Sequence, residues 1–304
     1  MYQVLRPSTS TFVSVRGCRY HLLQWGSAAT QAPPLLLAHG WMDVAASWQF
    51  MVDTFSPEFM SGRRIIAFDW RGYGLTETPA TDSYWFPDYL GDLDALLDLI
   101  SPDQAIDLVG HSMGGNVVMM YAGVRPERIR RLVNLEGFGM AATRPAQAPG
   151  RMSQWLDELR QVRNGELALK PYPDAAAVAA RLMKTNPRLP ADKAQWLASH
   201  WARPDAQGQW QILGDAAHKV VNPYLFRVDE VLEIFARIRA PLLAVEASDD
   251  SLSQWWKGKY TLEQYHQRLQ AVPDHRIARI EEAGHMLHHD QPQALALCLE
   301  AFLA

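Results

Sequence analysis

The chain has 304 residues, of which 48% are hydrophobic and 20% charged, and a formal net charge of −4 at pH 7. This composition is ordinary for a globular protein, and the length suffices for one large α/β domain or a domain with an inserted subdomain. The net charge is negative, so the sequence shows no basic surface for binding nucleic acid. No stretch reaches the roughly 18 apolar residues of a membrane span. The N-terminus lacks the apolar core of a signal peptide. We therefore expect a soluble cytoplasmic protein with a small-molecule partner, either monomeric or homodimeric.

Strands and helices alternate along the first half of the chain. The predicted strands lie at 11–15, 19–25, 35–38, 64–68, 105–109 and 131–137. The first two form an antiparallel pair around a turn at Gly17, and apolar side chains at helical spacing predict helices at 48–55 and 90–100. Strands that alternate with helices indicate a mostly parallel sheet with right-handed crossovers.

The alternation stops at Gly139 and resumes only with the strand at 241–246. The intervening segment starts with a stretch rich in Ala, Pro and Gln, which is typical of a linker. Helices are then predicted at 152–162, 174–185 and 191–201. We predict a core formed by residues 1–139 and 226–304, with a helical cap at 140–225 inserted after the sixth strand.

The most informative stretch is Gly110-His111-Ser112-Met113-Gly114, which joins an apolar strand to a helix. A serine on so tight a strand-to-helix turn adopts strained backbone geometry, and glycines two residues before and after it remove side chains that would clash. The turn exposes the hydroxyl, and the next backbone N–H points into the same space, where it can stabilise an oxyanion. This pattern predicts that Ser112 is a nucleophile.

Cysteine and histidine patterns predict no metal and no cofactor. Cys18 and Cys298 are far apart and have no metal-binding or redox spacing, so we expect two reduced thiols. His288 and His289 raise the question of zinc, but the sequence shows no convincing further ligands.

With these motifs in place, nearly the whole chain resembles the α/β-hydrolase family. The resemblance is carried by His39-Gly40, by Asp69-x-Arg71-Gly72-x-Gly74, by the turn at Ser112, and by Ala283-Gly284-His285 after the last strand. It implies the α/β-hydrolase fold with an inserted cap like those of small esterases, lipases and carbon–carbon bond hydrolases. Within this family, the chain is most similar to the serine-hydrolase-like branch.

The resemblance also implies a catalytic triad. His285 stands where the family places the base that takes the proton of Ser112. For the acid that orients His285, the loop after the penultimate strand offers Asp250, although Ala247 replaces the glycine usual in that loop. Glu136 occupies an alternative acid position after the preceding strand. Both fit the chain order Ser, acid, His; the loop position favours Asp250.

Two backbone N–H groups are the expected oxyanion donors, those of Trp41, after His39-Gly40, and of Met113. His39, His111, Asp69 and Arg71 are expected to be structural, with His111 packed behind the sheet. The cap tryptophans are expected chiefly to pack, although some can line an apolar pocket.

These features predict a cofactor-free serine hydrolase, a carboxylesterase that cleaves small to medium hydrophobic esters through an acyl-enzyme. Epoxide hydrolases and haloalkane dehalogenases of this fold attack with an aspartate, so a serine at this position argues against both. A carbon–carbon bond hydrolase, a lactonase or a perhydrolase on the same triad stays open. So does a non-catalytic ligand receptor, because such a receptor can retain the triad.

Overall fold

A computed structural model describes residues 2–27, 30 and 32–304. The strands are β1 (Thr9–Val15), β2 (Cys18–Trp25), β3 (Leu35–Ala38), β4 (Ile65–Phe68), β5 (Ile106–His111), β6 (Ile129–Leu135), β7 (Ala202–Pro204), β8 (Trp210–Ile212), β9 (Leu242–Ala247) and β10 (His275–Ile280). The helices are α1 (Gln49–Val52), α2 (Pro57–Ser61), α3 (Phe86–Ile100), α4 (Met113–Val124), α5 (Ala148–Arg163), α6 (Ala175–Thr185), α7 (Ala191–Trp201), α8 (Val228–Phe235), α9 (Ser251–Trp256), α10 (Leu262–Leu269), α11 (Leu287–Asp290) and α12 (Pro292–Leu303).

The central sheet has eight strands in the order β1-β2-β4-β3-β5-β6-β9-β10. β1 and β2 form the antiparallel entry, and β2 pairs antiparallel to β4. From β4 to β10 all neighbouring strands are parallel. The predicted fold class is confirmed, including the turn of the first hairpin, where Gly17 has a φ of +81°.

Helices cover both faces of the sheet, which is why the inner strands are apolar throughout. Within β3, Leu36 and Ala38 join the cluster that packs under α3, α4 and α10. Leu35 and Leu37 point to the opposite face and pack with α1 and α12. Alternate residues of each inner strand therefore anchor the sheet to the helices on both faces, and the loops at the carboxyl ends of the strands start from this packed core.

Between β6 and α8 the chain leaves the sheet. This segment contains α5, α6, α7 and the short antiparallel pair β7–β8. Apolar residues of α6 and α7 form a cluster of their own, which also includes Val44, Ala46 and Phe50 from the region after β3. The segment therefore packs onto the loop that follows β3.

Helix α8 was not predicted, and the predicted helix at 48–55 is shorter in the structure. It consists of a 3₁₀ turn, Ala45–Trp48, followed by α1. Both cysteines are free thiols, as expected. None of the helices in the described ranges combines the length and apolar character that crossing a membrane would require.

Candidate active site

Ser112 lies between β5 and α4 with a φ of 53° and a ψ of −116°, a strained conformation for a residue with a side chain. The strain is enforced by close packing on either side. A Cβ on Gly110 would lie 2.4 Å from Gly114 O, and a Cβ on Gly114 would lie 2.4 Å from Ala38 O. The predicted tight turn is therefore present, and the contacts on either side leave no room for a side chain at Gly110 or Gly114.

His285 follows β10 and lines the same cavity as Ser112. Its side chain is 21% exposed, and its Nδ1 lies 3.2 Å from Glu136 Oε2. Among the described residues, no hydrogen bond joins the Ser112 hydroxyl to this imidazole; in sites without substrate, catalytic hydrogen bonds are often long or poorly aligned. The ring packs edge-on against Trp255, with 4.2 Å between the ring centroids.

The structure places Glu136, and not Asp250, against His285. Glu136 is 1% exposed, and its second oxygen, Oε1, accepts the backbone N–H of Ala247 at 2.8 Å. Asp250 instead caps the N-terminus of α9, where it accepts the N–H of Ser253 at 2.9 Å and the Ser253 hydroxyl at 2.5 Å. This geometry reverses the preference drawn from loop position, because the carboxylate of Asp250 is committed to a helix cap.

Burial shifts the pKa of both members of this pair. Burial raises the pKa of Glu136 to about 7, against the opposing effect of the Ala247 N–H. Burial lowers the pKa of His285 to about 3. At pH 8 the imidazole is therefore neutral and has a free lone pair, while Glu136 is ionised and can accept a hydrogen bond from the Nδ1–H of His285.

The two predicted oxyanion donors lie on segments that meet at Ser112. Met113 is the first residue of α4, so its N–H has no acceptor within the helix. A Cβ on Gly40 would lie 3.1 Å from the Cβ of Ser112, so the backbone that leads to Trp41 runs directly against the serine. Trp41 lines the cavity.

The cavity has a volume of about 400 Å³ and lies between the sheet edge and the segment that contains α6 and α7. Its lining is mixed, and polar side chains such as Arg181, Arg188 and Asp249 contribute to it. The apolar lining residues are Trp41, Met42, Leu182, Pro187, Leu189, Leu197, Trp201, Trp255 and Met286. Trp41 and Trp255 are 51% and 52% exposed, so the cavity presents aromatic surface to solvent.

Several residues beside the cavity hold its loops in place. The buried His39 accepts the Trp70 N–H at Nε2 (3.0 Å) and contacts Gly40 O through Nδ1 (2.7 Å), which fixes the loop before Trp41. His111 does not pack only behind the sheet, since its Nε2 lies 2.8 Å from His285 O and it lines the cavity. Trp201 donates from Nε1 to Met42 O at 3.0 Å, a contact that the sequence does not reveal.

Asp69 and Arg71 have the structural roles expected of them. Asp69 accepts the N–H groups of Ala45 and Leu75, and it contacts His21 Nδ1. Arg71 pairs with the buried carboxylate of Asp92.

Known proteins resemble this chain over part or nearly all of its length. It is 24% identical over 315 residues to a serine hydrolase-like protein of Danio rerio, covering 99% of this chain and 93% of that protein. An epoxide hydrolase 2 of Siraitia grosvenorii is 36% identical over 126 residues, which is 41% of this chain and 37% of that protein. A thioesterase domain from the curacin biosynthetic pathway superposes with a TM-score of 0.79 at 25% identity, covering 96% of this chain and 99% of that domain.

The family model for the alpha/beta hydrolase fold matches residues 33–292, which include the strands from β3 to β10, Ser112 and His285. Together with the sheet order and the strained serine turn, this match shows that the chain belongs to the α/β-hydrolase family.

Proposed function

We propose that the protein is a serine hydrolase that cleaves carboxylic esters of small to medium hydrophobic acids through an acyl-enzyme. The observation that carries this proposal is the strained turn at Ser112, which lines one cavity with a histidine whose Nδ1 faces a buried carboxylate. Ser112 is the nucleophile, His285 the general base and Glu136 the acid that orients it.

In this mechanism Glu136 accepts a hydrogen bond from the Nδ1–H of His285, which holds the imidazole in the tautomer whose Nε2 lone pair faces the hydroxyl of Ser112. Ser112 Oγ attacks the ester carbonyl while its proton passes to His285. The backbone N–H groups of Trp41 and Met113 bind the oxyanion, and His285 then protonates the leaving alcohol. Water enters by the same steps in reverse and releases the acid.

The cavity supports a hydrophobic substrate. Trp255 packs against the ring of His285, and Trp41 is adjacent to the proposed oxyanion site, so both exposed indoles flank the reacting carbonyl. We assign the lid role to residues 140–225, which contribute Leu182, Leu197 and Trp201 to the cavity wall above a core of 1–139 and 226–304.

Ester rather than epoxide chemistry is supported by the serine itself, because the epoxide hydrolases of this fold use an aspartate at this position. The cytoplasmic location and the choice between monomer and homodimer stay predictions. Fractionation of the native cells and light scattering of the purified chain test them.

The experiment is a panel of p-nitrophenyl esters of increasing acyl length, assayed with the wild-type protein and with Ser112→Ala. We expect turnover of short and medium chains and its loss in the variant. Turnover confined to carbon–carbon bond substrates would replace the ester assignment but keep the triad. Absence of turnover with every ester, lactone and diketone, together with tight binding of one of them, would indicate a receptor.

A further inference from the structure

A second cluster of ionisable side chains lies behind the proposed triad. Asp43, from the loop after β3, and His288 and His289, from α11, are 5%, 0% and 3% exposed. One carboxylate oxygen and one nitrogen of each imidazole lie within 4.8 Å of one another. The sequence singled out the two histidines, but it gave no sign of the carboxylate, which is far away along the chain.

The cluster contains polar atoms that the described residues leave without partners. Asp43 Oδ2 has no hydrogen-bond donor among them, and neither His288 Nδ1 nor His289 Nδ1 has a partner. Buried polar atoms are usually paired, so three such atoms in one cluster require an explanation.

The hydroxyl of Ser47 does not provide the missing partners. Its Oγ lies 2.5 Å from His289 Nε2 and 3.3 Å from His288 Nε2. Because each neutral imidazole has one donor and one acceptor nitrogen, each ring keeps an unpartnered nitrogen whichever tautomer it adopts. The carboxylate also lacks a cation, since the nearest basic atom is His288 Nε2 at 3.9 Å.

We propose that Asp43, His288 and His289 form a binding site for a divalent transition-metal ion such as Zn²⁺. Two imidazoles and one carboxylate are a donor set that suits Zn²⁺ and its neighbours in the first row. Neighbouring ligands of a tetrahedral zinc are separated by roughly 3.4 Å, so small side-chain shifts bring these atoms to binding distance.

The cluster is accessible to an ion, although its three side chains are buried. Asp43 and His289 line the catalytic cavity, which provides a route for the ion.

The site is adjacent to the proposed triad without sharing its residues. The ring of His111 lies 4.7 Å from that of His285 and 4.5 Å from that of His288. A bound ion would join α11, which begins shortly after His285, to the loop after β3 that carries Trp41. The site therefore links the two loops on which the proposed chemistry depends, and we expect the ion to stabilise the folded protein.

The test is titration of the chelator-treated full chain with Zn²⁺ by calorimetry, together with thermal unfolding. We expect one equivalent to bind and the unfolding midpoint to rise by roughly 5 °C at a 100-fold excess over Kd. Asp43→Asn and His289→Asn should each weaken binding at least about 100-fold, by loss of a direct ligand. His275→Asn, on β10 outside the cluster, is the matched control and should bind as the wild type does.

Three results would overturn the proposal: no rise of the midpoint in the wild type, unchanged affinity in both cluster variants, or loss of binding in His285→Asn but not in Asp43→Asn. If the cluster variants do not fold, electron paramagnetic resonance of the Cu²⁺-loaded wild type decides, since this site requires two coupled imidazole nitrogens. Ser112→Ala should bind Zn²⁺ normally, so failure of the proposed esterase function leaves this test intact.

Discussion

Replacement of Glu136 by Gln should inactivate the protein and stabilise it at the same time. In the structure, Glu136 Oε1 accepts the Ala247 N–H at 2.8 Å, and Oε2 lies 3.2 Å from His285 Nδ1. A carboxamide must keep its oxygen towards Ala247, so its NH₂ group faces His285. The imidazole must then accept at Nδ1 and carry its proton on Nε2, the tautomer that cannot accept a proton from Ser112.

The expected loss is about 10³–10⁴-fold in kcat with little change in KM, because the wrong tautomer removes the base and leaves the pocket intact. The stability effect has the opposite sign. The unfolded carboxyl ionises near 4.5, whereas burial raises its pKa in the fold to about 7. With respect to Glu136, the free energy of unfolding is therefore highest below pH 4.5. It falls as the pH rises from 4.5 to about 7, by up to about 3 kcal/mol in total. The amide does not ionise, so the variant should exceed the wild type by about 1–3 kcal/mol at pH 8 and lose this advantage at pH 5.

The assay pairs p-nitrophenyl ester kinetics with urea unfolding at pH 5 and pH 8. Asp250→Asn is the matched control, because asparagine caps a helix about as well as aspartate, and we expect its kcat to stay within a few-fold of wild type. A large loss of kcat in Asp250→Asn together with near-normal activity in Glu136→Gln would refute the geometry on which this reasoning rests.

Three further predictions concern the surroundings of the site. Trp201→Phe removes the 3.0 Å hydrogen bond to Met42 O and should lower kcat about 10-fold at constant KM; a raised KM with constant kcat would show that Trp201 only contacts substrate. Gly110→Ala places a Cβ 2.4 Å from Gly114 O, so it should lower the free energy of unfolding in urea by several kcal/mol and abolish most of the activity. In the control Gly150→Ala the new Cβ meets nothing within 4 Å, so neither stability nor activity should change. Burial lowers the pKa of His39 to about 4. The free energy of unfolding should therefore fall as the pH drops from 6.5 towards 4, by up to about 3 kcal/mol from this residue. In urea unfolding, the His39→Asn variant should show a smaller fall over this pH range than the wild type.

The sequence predicts the sheet well because the signals for parallel strands are local. Runs such as Leu35–Ala38 are apolar at every position, and both faces of the sheet are in fact covered. The turn at Ser112 is likewise readable from its glycines. Helix α8 was missed, although its amphipathic sequence follows directly on the segment read as the cap.

The choice of acid could not be read from the sequence. Strands β6 and β9 are neighbours in the sheet, so the loops that carry Glu136 and Asp250 both lie near His285. Glu136 adopts a φ of +54°, and Asp250 turns into a helix cap instead. Both features depend on tertiary packing, and neither leaves a pattern along the chain. The proximity of Asp43 to His288 and His289 also depends on tertiary packing, so the sequence does not indicate it.

The most direct test of the central claim is labelling of the full chain with a fluorophosphonate, followed by peptide mass spectrometry. The account predicts one covalent adduct, on Ser112, formed faster at pH 8 than at pH 5 and absent from Ser112→Ala and from wild-type protein unfolded in urea. It also predicts that Glu136→Gln slows the labelling far more than Asp250→Asn does. No adduct on folded protein, or an adduct that persists in Ser112→Ala, would contradict the assignment of Ser112 as the activated nucleophile.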